Sequence, residues 1–135
     1  MGIYYSAGAM VGIPLVFSDV FETYGVVTAI RAPFTLDRAK LYGDDTQDTA
    51  LQEGAISVNG VAVQVYAAGY DQPATECPLA VGVNIGVGAG SKAGGDGEGY
   101  DPAQVAAHVE TVRSAVKGTP LEGRPIRLLV GTFVS

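Results

Sequence analysis

The sequence is poor in charge, has one cysteine and lacks tryptophan. Charged residues make up 16% of the chain, against about 25% in an average globular domain. The single cysteine, Cys77, excludes an intramolecular disulfide. One cysteine and one histidine, His108, fall short of the usual four-ligand zinc set. We therefore predict no bound metal and no cofactor.

Positive charge is especially scarce, with eight Lys and Arg against 14 Asp and Glu and a net charge of -6. Nucleic-acid binders need clustered Lys and Arg to displace counterions from phosphates, and no basic run occurs here. The chain also has no stretch of about 18 consecutive apolar residues, the minimum for a membrane-spanning helix. No N-terminal signal-peptide pattern is present. These features predict no nucleic-acid partner, no membrane partner and a cytoplasmic location.

Apolar residues, in contrast, make up 47% of the sequence. With so few charges, the surface of a monomer would carry more apolar area than soluble monomers usually expose. A partner, or another copy of the chain, is the simplest means of covering it. We expect a homo-oligomer or an obligate protein interface.

Alternating apolar residues predict most of the strands. A period of two runs from Ile3 to Ile13, and Pro14 is expected to end that strand. Asn59-Gly60 between two valine-rich segments is typical of a type I′ β-hairpin. The most regular alternation runs from Leu79 to Gly88, and a last strand is expected from about Pro125 to Val134.

One long helix and two short helices are also predicted. Asp101 and Pro102 provide an N-cap and a first-turn proline, and Gly118 ends the helix. A valine stripe should lie on the sheet: Val105, Val109, Val112 and Val116. Short helices are expected over 18–24, closed by Gly25, and over 35–42, followed by an acidic loop at 44–48.

These elements predict a single α+β domain over residues 1–135. We expect a mixed, mainly antiparallel sheet, with one principal helix (about 102–117) packed on it and one or two short helices. Strands do not alternate regularly with long helices, which disfavours a parallel, doubly wound fold.

A glycine-dense segment at 88–100 is the first candidate binding site. Backbone amides together with Ser91, Lys92 and Tyr100 could bind an anionic or aromatic ligand. The phosphate-loop spacing is absent, and the carboxylates of Asp96 and Glu98 oppose an anion. A mobile loop, or one that clasps a partner, is the alternative.

The second candidate is an interface on the sheet. Gly82, Asn84 and Gly86 leave one face of their strand almost bare, and glycine inside a strand is destabilising unless something approaches the backbone closely. Tyr4 and Tyr66 lie opposite the main apolar rows, and tyrosine favours interfaces. We predict that the bare strand face contacts a tightly packed helix, a second sheet from another subunit or a flat ligand. Tyr4 and Tyr66 are expected to form a second packed surface of the interface, with half-buried structural tyrosines as the alternative.

Three functions follow in order of preference. The first is a non-catalytic protein that assembles with itself or binds a partner through an apolar, tyrosine-rich surface of its sheet. By analogy alone, it could be a phage accessory or virion-associated protein. The second is a small-ligand binding or sequestering protein whose pocket is closed by the segment at 88–100. The third is a small hydrolase-like enzyme using His108, Asp101 or Glu110, for which no catalytic constellation is visible.

Overall fold

The computed structural model describes residues 5–43, 46–89 and 101–134. Its strands are β1 (Tyr5–Leu15), β2 (Phe21–Tyr24), β3 (Val27–Ile30), β4 (Thr35–Leu36), β5 (Ile56–Val58), β6 (Val61–Val65), β7 (Leu79–Ala89) and β8 (Arg127–Val134). Its α-helices are α1 (Phe17–Val20), α2 (Gln47–Gln52) and α3 (Pro102–Val116), and 3-10 turns span Arg38–Lys40 and Ala74–Glu76. The predicted α+β class is confirmed.

The main sheet has six strands in the order β4-β5-β6-β7-β1-β8, and every pair of neighbours is antiparallel. A separate hairpin consists of β2 and β3. The core lies between one face of the sheet and the C-terminal half of α3, where Val112 and Val116 are buried together with Ile13 and Val81. Val105 and Val109 of the same stripe are only half-buried. The N-terminal half of α3 therefore packs less fully than the valine spacing predicts.

The predicted hairpin at Asn59-Gly60 is confirmed, with φ of 47° and 87° at the two residues and Val58 paired with Val61. The Asn59 side chain has a second contact that the sequence does not reveal. Its Nδ2 donates to the carbonyl oxygen of Ala115 at 2.6 Å. That carbonyl is among the last four of α3, which have no partner within the helix. One side chain thus joins the turn to the end of the main helix.

Three local predictions were wrong. The chain from Phe21 forms a hairpin instead of continuing a helix, and Gly25, with φ of 61°, is in its turn. Residues 35–42 contain only β4 and a 3-10 turn. Helix α2 begins within the predicted acidic loop, where the Thr46 hydroxyl caps it by accepting from the Thr49 amide at 3.2 Å. In the first two cases the helical pattern was too short to outweigh strand pairing. In the third, the Thr46 cap allows a helix to begin where only a loop was predicted.

Pro14 does not end β1, because Pro14 pairs with Ala80 and Leu15 with Leu79. The pairing of β1 with β8 stops earlier, at Gly12, so Pro14 has a strand on one side only. Its carbonyl oxygen accepts from Arg124 Nη2 at 2.8 Å. The N–H that proline lacks would point to the same unpaired side, where strand prolines are tolerated.

The alternation along β7 is interrupted by a bulge. Ala9 pairs with Gly86 and Met10 with Asn84, so Ile85 has no partner. A bulge of this kind exchanges the two faces of a strand and increases its twist. The bare face predicted from Leu79 to Gly88 is therefore not one continuous surface.

The main sheet curls so that β8, at one edge, meets the segment that follows β6. The Ala68 amide, three residues beyond β6, donates to the Thr132 carbonyl of β8 at 3.1 Å, and the Val134 amide donates to the Ala68 carbonyl at 2.9 Å. This parallel bridge between Ala68 and Phe133 joins β8 to the segment after β6. Strands β6, β7, β1 and β8 thus form a partly closed, barrel-like unit.

The curl requires close contacts between backbones. A Cβ at Gly82 or Gly12 would collide with backbone atoms of the paired strand, and one at Gly131 would collide with the Tyr66 carbonyl oxygen. The three atoms nearest to a Cβ at Gly8 all belong to the ring of Phe133, which can rotate away. The glycines therefore differ in whether the atoms that an added methyl group would meet are fixed backbone atoms or a ring that can move.

We expect Gly131→Ala and Gly82→Ala each to destabilise the fold by about 1 to 3 kcal/mol or more, because the backbone cannot make room for the added methyl group. Gly8→Ala is the matched control and should cost less. Chemical denaturation of the three variants measures the differences. Equal stability of Gly131→Ala and the wild type would contradict the close approach of β8 to Tyr66.

The contact between Asn59 and Ala115 gives a second expectation. Asn59→Gly keeps the positive φ but removes the donor, and should lower the free energy of unfolding by about 1 kcal/mol. Asn59→Ala should lose roughly 1 kcal/mol more, because alanine is strained in this conformation. Urea unfolding of both variants measures the contributions of the hydrogen bond and of the backbone strain. If Asn59→Gly has the same free energy of unfolding as the wild type, the hydrogen bond to α3 contributes nothing to stability.

Candidate functional site

The edge of β8 is only partly closed. The Thr132 carbonyl and Val134 amide point away from β1 toward Ala68. In an extended strand, alternate residues direct both backbone groups to the same side. The amides and carbonyls of Leu128 and Val130 therefore also point away from β1. Within residues 5–43, 46–89 and 101–134, no other segment hydrogen-bonds to them.

The side chains on this open edge are apolar and exposed. Leu128 is 52% exposed and Val130 is 67% exposed. They pair with Val11 and Ala9 of β1, so they lie on the sheet face that also carries α3. Helix α3 packs mainly on β1 and β7, and Leu128 and Val130 remain exposed beside it. We call Leu128 and Val130, with their open backbone groups, the edge patch.

A second apolar surface lies at the turn between β2 and β3. Val26 is fully exposed, and Tyr24 and Val27 are 61% and 63% exposed. At the base of the hairpin, the rings of Phe17 and Phe21 stack with centroids 4.7 Å apart. A two-stranded hairpin is only marginally stable by itself, so this stack contributes to holding it. We call Tyr24, Val26 and Val27 the hairpin tip.

The structure also contains a cavity of about 470 Å³ beside β6. Its walls come from the end of α2, from β6, from the 3-10 turn at 74–76 and from Phe133 of β8. Three uncharged amides, Gln52, Gln64 and Gln72, line it together with Cys77. Gln72 is already engaged, since its Oε1 accepts from the Gly69 amide at 2.7 Å and its Nε2 donates to the Glu76 carbonyl at 3.1 Å.

The thiol in this cavity is not set up as a nucleophile. Cys77 is 7% exposed, and its Sγ donates to the Pro73 carbonyl at 3.3 Å. Burial raises the pKa of the Cys77 thiol above its ordinary value, and the negative charges of Asp48 and Glu76 raise it further. A reactive cysteine needs the opposite shift, because the thiolate is the nucleophile.

The three proposed catalytic groups lie on or at the start of α3 and do not converge. Asp101 caps the helix by accepting from the Ala103 amide at 2.9 Å, and Glu110 pairs with Arg113. At 1.5 Å of rise per residue, Asp101 and Glu110 are about 13 Å apart along the helix axis. His108 and Glu110, two residues apart, point to different sides of the helix.

The predicted binding and interface residues have different outcomes. Ser91, Lys92, Tyr100 and Tyr4 lie outside the described residues. Gly82 is buried against β1, which gives an intramolecular reason for that glycine. Asn84 is exposed, and its Nδ2 approaches Gln64 Oε1 at 3.5 Å. Tyr66 is half-buried, and Gly86 lies in β7. An interface at these residues stays a prediction.

Sequence reasoning missed both the edge patch and the hairpin tip. Leu128 and Val130 were assigned correctly to the last strand, but the alternation could not show that the strand would lie at an edge. The hairpin tip was hidden by a helical spacing at 20–24. The sequence signal for this hairpin was Gly25 between Tyr24 and two valines, since glycine at the first loop position fits a type II′ hairpin turn.

Comparison with known proteins found no matching family model, no similar curated protein and no similar solved structure. Within the described part of the chain, no helix is long and apolar enough to cross a membrane. The same residues contain no group of three or more His, Cys, Asp or Glu placed to hold a metal ion. The function must therefore be argued from the surfaces and the cavity.

The state of Cys77 can be measured directly. In the folded protein at neutral pH, we expect its thiol to react with Ellman's reagent far more slowly than after unfolding in guanidinium, because it is buried and its pKa is raised. The unfolded chain loses the thiol proton first as pH rises, so this group should lower stability above the ordinary thiol pKa. Rapid, stoichiometric reaction of the folded protein at pH 7 would contradict both statements.

Proposed function

We propose that this chain is a non-catalytic assembly protein that binds copies of itself through exposed apolar β-structure. The observation that carries the proposal is the edge patch, which combines open backbone hydrogen-bonding groups with two exposed aliphatic side chains. Exposed, uncharged edge strands are templates for strand pairing with another chain, and soluble proteins usually protect them with charge, proline or a covering element. Neither Leu128 nor Val130 is charged or a proline, and within residues 5–43, 46–89 and 101–134 no segment pairs with their open backbone groups.

The hairpin tip supports the same function independently. Its three large side chains project from a two-stranded ribbon outside the core. An exposed valine is unremarkable alone, but a cluster of apolar side chains at the end of a projecting element is typical of an interaction surface. With two separate apolar surfaces, a chain can contact more than one neighbour.

Ligand binding is the second candidate, and the cavity beside β6 favours it. Its lining combines apolar side chains and the aromatic ring of Phe133 with three amides and the carboxylate of Glu53, a set that suits a small ligand with both apolar and hydrogen-bonding groups. This function requires no self-association. The oligomeric state of the purified protein therefore distinguishes the two candidates.

Light scattering across a dilution series tests the proposal. We expect a mass above that of the monomer at high concentration, and no dissociation at raised salt, because apolar and backbone contacts are not screened. Val130→Lys should weaken association by placing a charge at the open edge. Thr132→Lys is the matched control, since Thr132 lies on the same strand where Ala68 already pairs with it.

A monomeric wild type at every concentration would overturn self-assembly and leave ligand binding as the better candidate. Association that survives Val130→Lys but is lost in Val26→Lys would move the contact from the edge patch to the hairpin tip, with the assembly function retained.

A further inference from the structure

We infer that two copies of the chain join through their β8 strands, antiparallel and centred on Leu129, to form one continuous sheet. This inference rests on the proposed function and specifies its contact. Its occupant is a second copy of the same strand. The length of the open edge, the direction of its backbone groups and the position of its charge all favour this pairing.

The open part of the edge is short, and this fixes the register. Beyond Gly131 the edge is closed, because Thr132 and Val134 are hydrogen-bonded to Ala68. The strand begins at Arg127. A twofold axis that pairs all of residues 127–131 with their copies must pass beside the central residue, Leu129. Any other centre leaves part of the open edge unpaired or runs the partner strand into Ala68.

In this register Leu128 of one copy lies opposite Val130 of the other. Both residues direct their amide and carbonyl groups to the open side, so each such pair can exchange two backbone hydrogen bonds. Their side chains then pack as a cross-strand aliphatic pair, which stabilises antiparallel sheets by a few tenths of a kcal/mol to about 1 kcal/mol. The same pairing therefore satisfies the open backbone groups of the edge patch and buries its two aliphatic side chains.

Charge does not oppose the pairing. Arg127 is the one charged residue of β8, and it would lie opposite Gly131 of the other copy. The two Arg127 side chains are then four residues apart along the strands, roughly 14 Å at 3.4 Å per residue. This exceeds the Debye length of about 8 Å at physiological ionic strength, so their repulsion is largely screened.

The shared sheet also places the two main helices on the same side. A twofold axis perpendicular to a sheet keeps equivalent faces together, and α3 lies on the face of Leu128 and Val130. The aliphatic pairs therefore lie between the two copies of α3. Pairing over so short a window is smaller than a standard interface of about 800 Å² per partner. We expect a dimer that dissociates on dilution.

Disulfide cross-linking tests the register. At Leu129 the two copies face each other in a non-hydrogen-bonded pair, where Cα atoms are about 4.5 Å apart, within the range of a disulfide. In a Cys77→Ala background, Leu129→Cys should form a disulfide-linked dimer under mild oxidation at least ten times faster than Thr132→Cys. Non-reducing electrophoresis and mass spectrometry measure the product.

Two exposed positions provide a second test that does not alter the half-buried Leu129. A dimer of Leu128→Cys with itself, or of Val130→Cys with itself, should cross-link slowly. In each case the two equivalent cysteines are offset by two residues along the paired strands, beyond the roughly 7 Å between Cα atoms that a disulfide spans. A mixture of the two variants should form the mixed dimer rapidly, since these residues are directly opposite. Faster cross-linking of either variant with itself would overturn the register.

The outcomes separate this inference from the proposed function. Self-association of the wild type, without preferred cross-linking at Leu129 or in the mixture, would reject pairing through β8 and leave assembly through another surface. A wild type that stays monomeric at every concentration would reject both.

Discussion

The close backbone contact of β1 and β8 with their neighbours is the constraint on which the rest of the fold depends. Gly12 and Gly82 face each other where a Cβ would collide with main-chain atoms, and Gly131 lies against the Tyr66 carbonyl in the same way. With the bulge at Ile85, these glycines allow the sheet to curl until Ala68 reaches β8. Ordinary side chains at these positions would hold the strands apart and leave the sheet open.

This closure also determines which surface remains available. The segment after β6 covers the end of β8 at Thr132 and Val134 and stops there. Helix α3 packs on β1 and β7, with its buried residues confined to the C-terminal half. Leu128 and Val130 lie between these two covering elements with exposed side chains, and no other part of the described chain hydrogen-bonds to their backbone groups. The edge patch is thus a consequence of an incompletely closed sheet.

The sequence predicted the elements with strong local chemistry. Asn59 and Gly60 tolerate positive φ, Asp101 and Pro102 define a helix start, and alternating valines mark β7, so each was assigned to its element. Elements with weaker signals were misassigned. Residues 21–24 were included in a predicted helix but form a hairpin strand, and α2, whose buried residues are Ala50 and Leu51, begins in a predicted loop. For the candidate site, the excess of apolar residues indicated an interface, but the residues chosen for it did not include Leu128, Val130 or Val26.

The sequence by itself determined the α+β class, the principal helix, the hairpin at Asn59-Gly60 and the shortage of charge, because these depend on local conformational preference and composition. Only the tertiary structure decided that β8 is an edge strand, that Gly82 is covered by β1, and that Cys77 is buried with a raised pKa. Strand order and closure depend on contacts between residues far apart in the chain. Leu128 and Val130 have the same alternation as buried strand residues elsewhere, and only the absence of a neighbour beside them among the described residues makes them a surface.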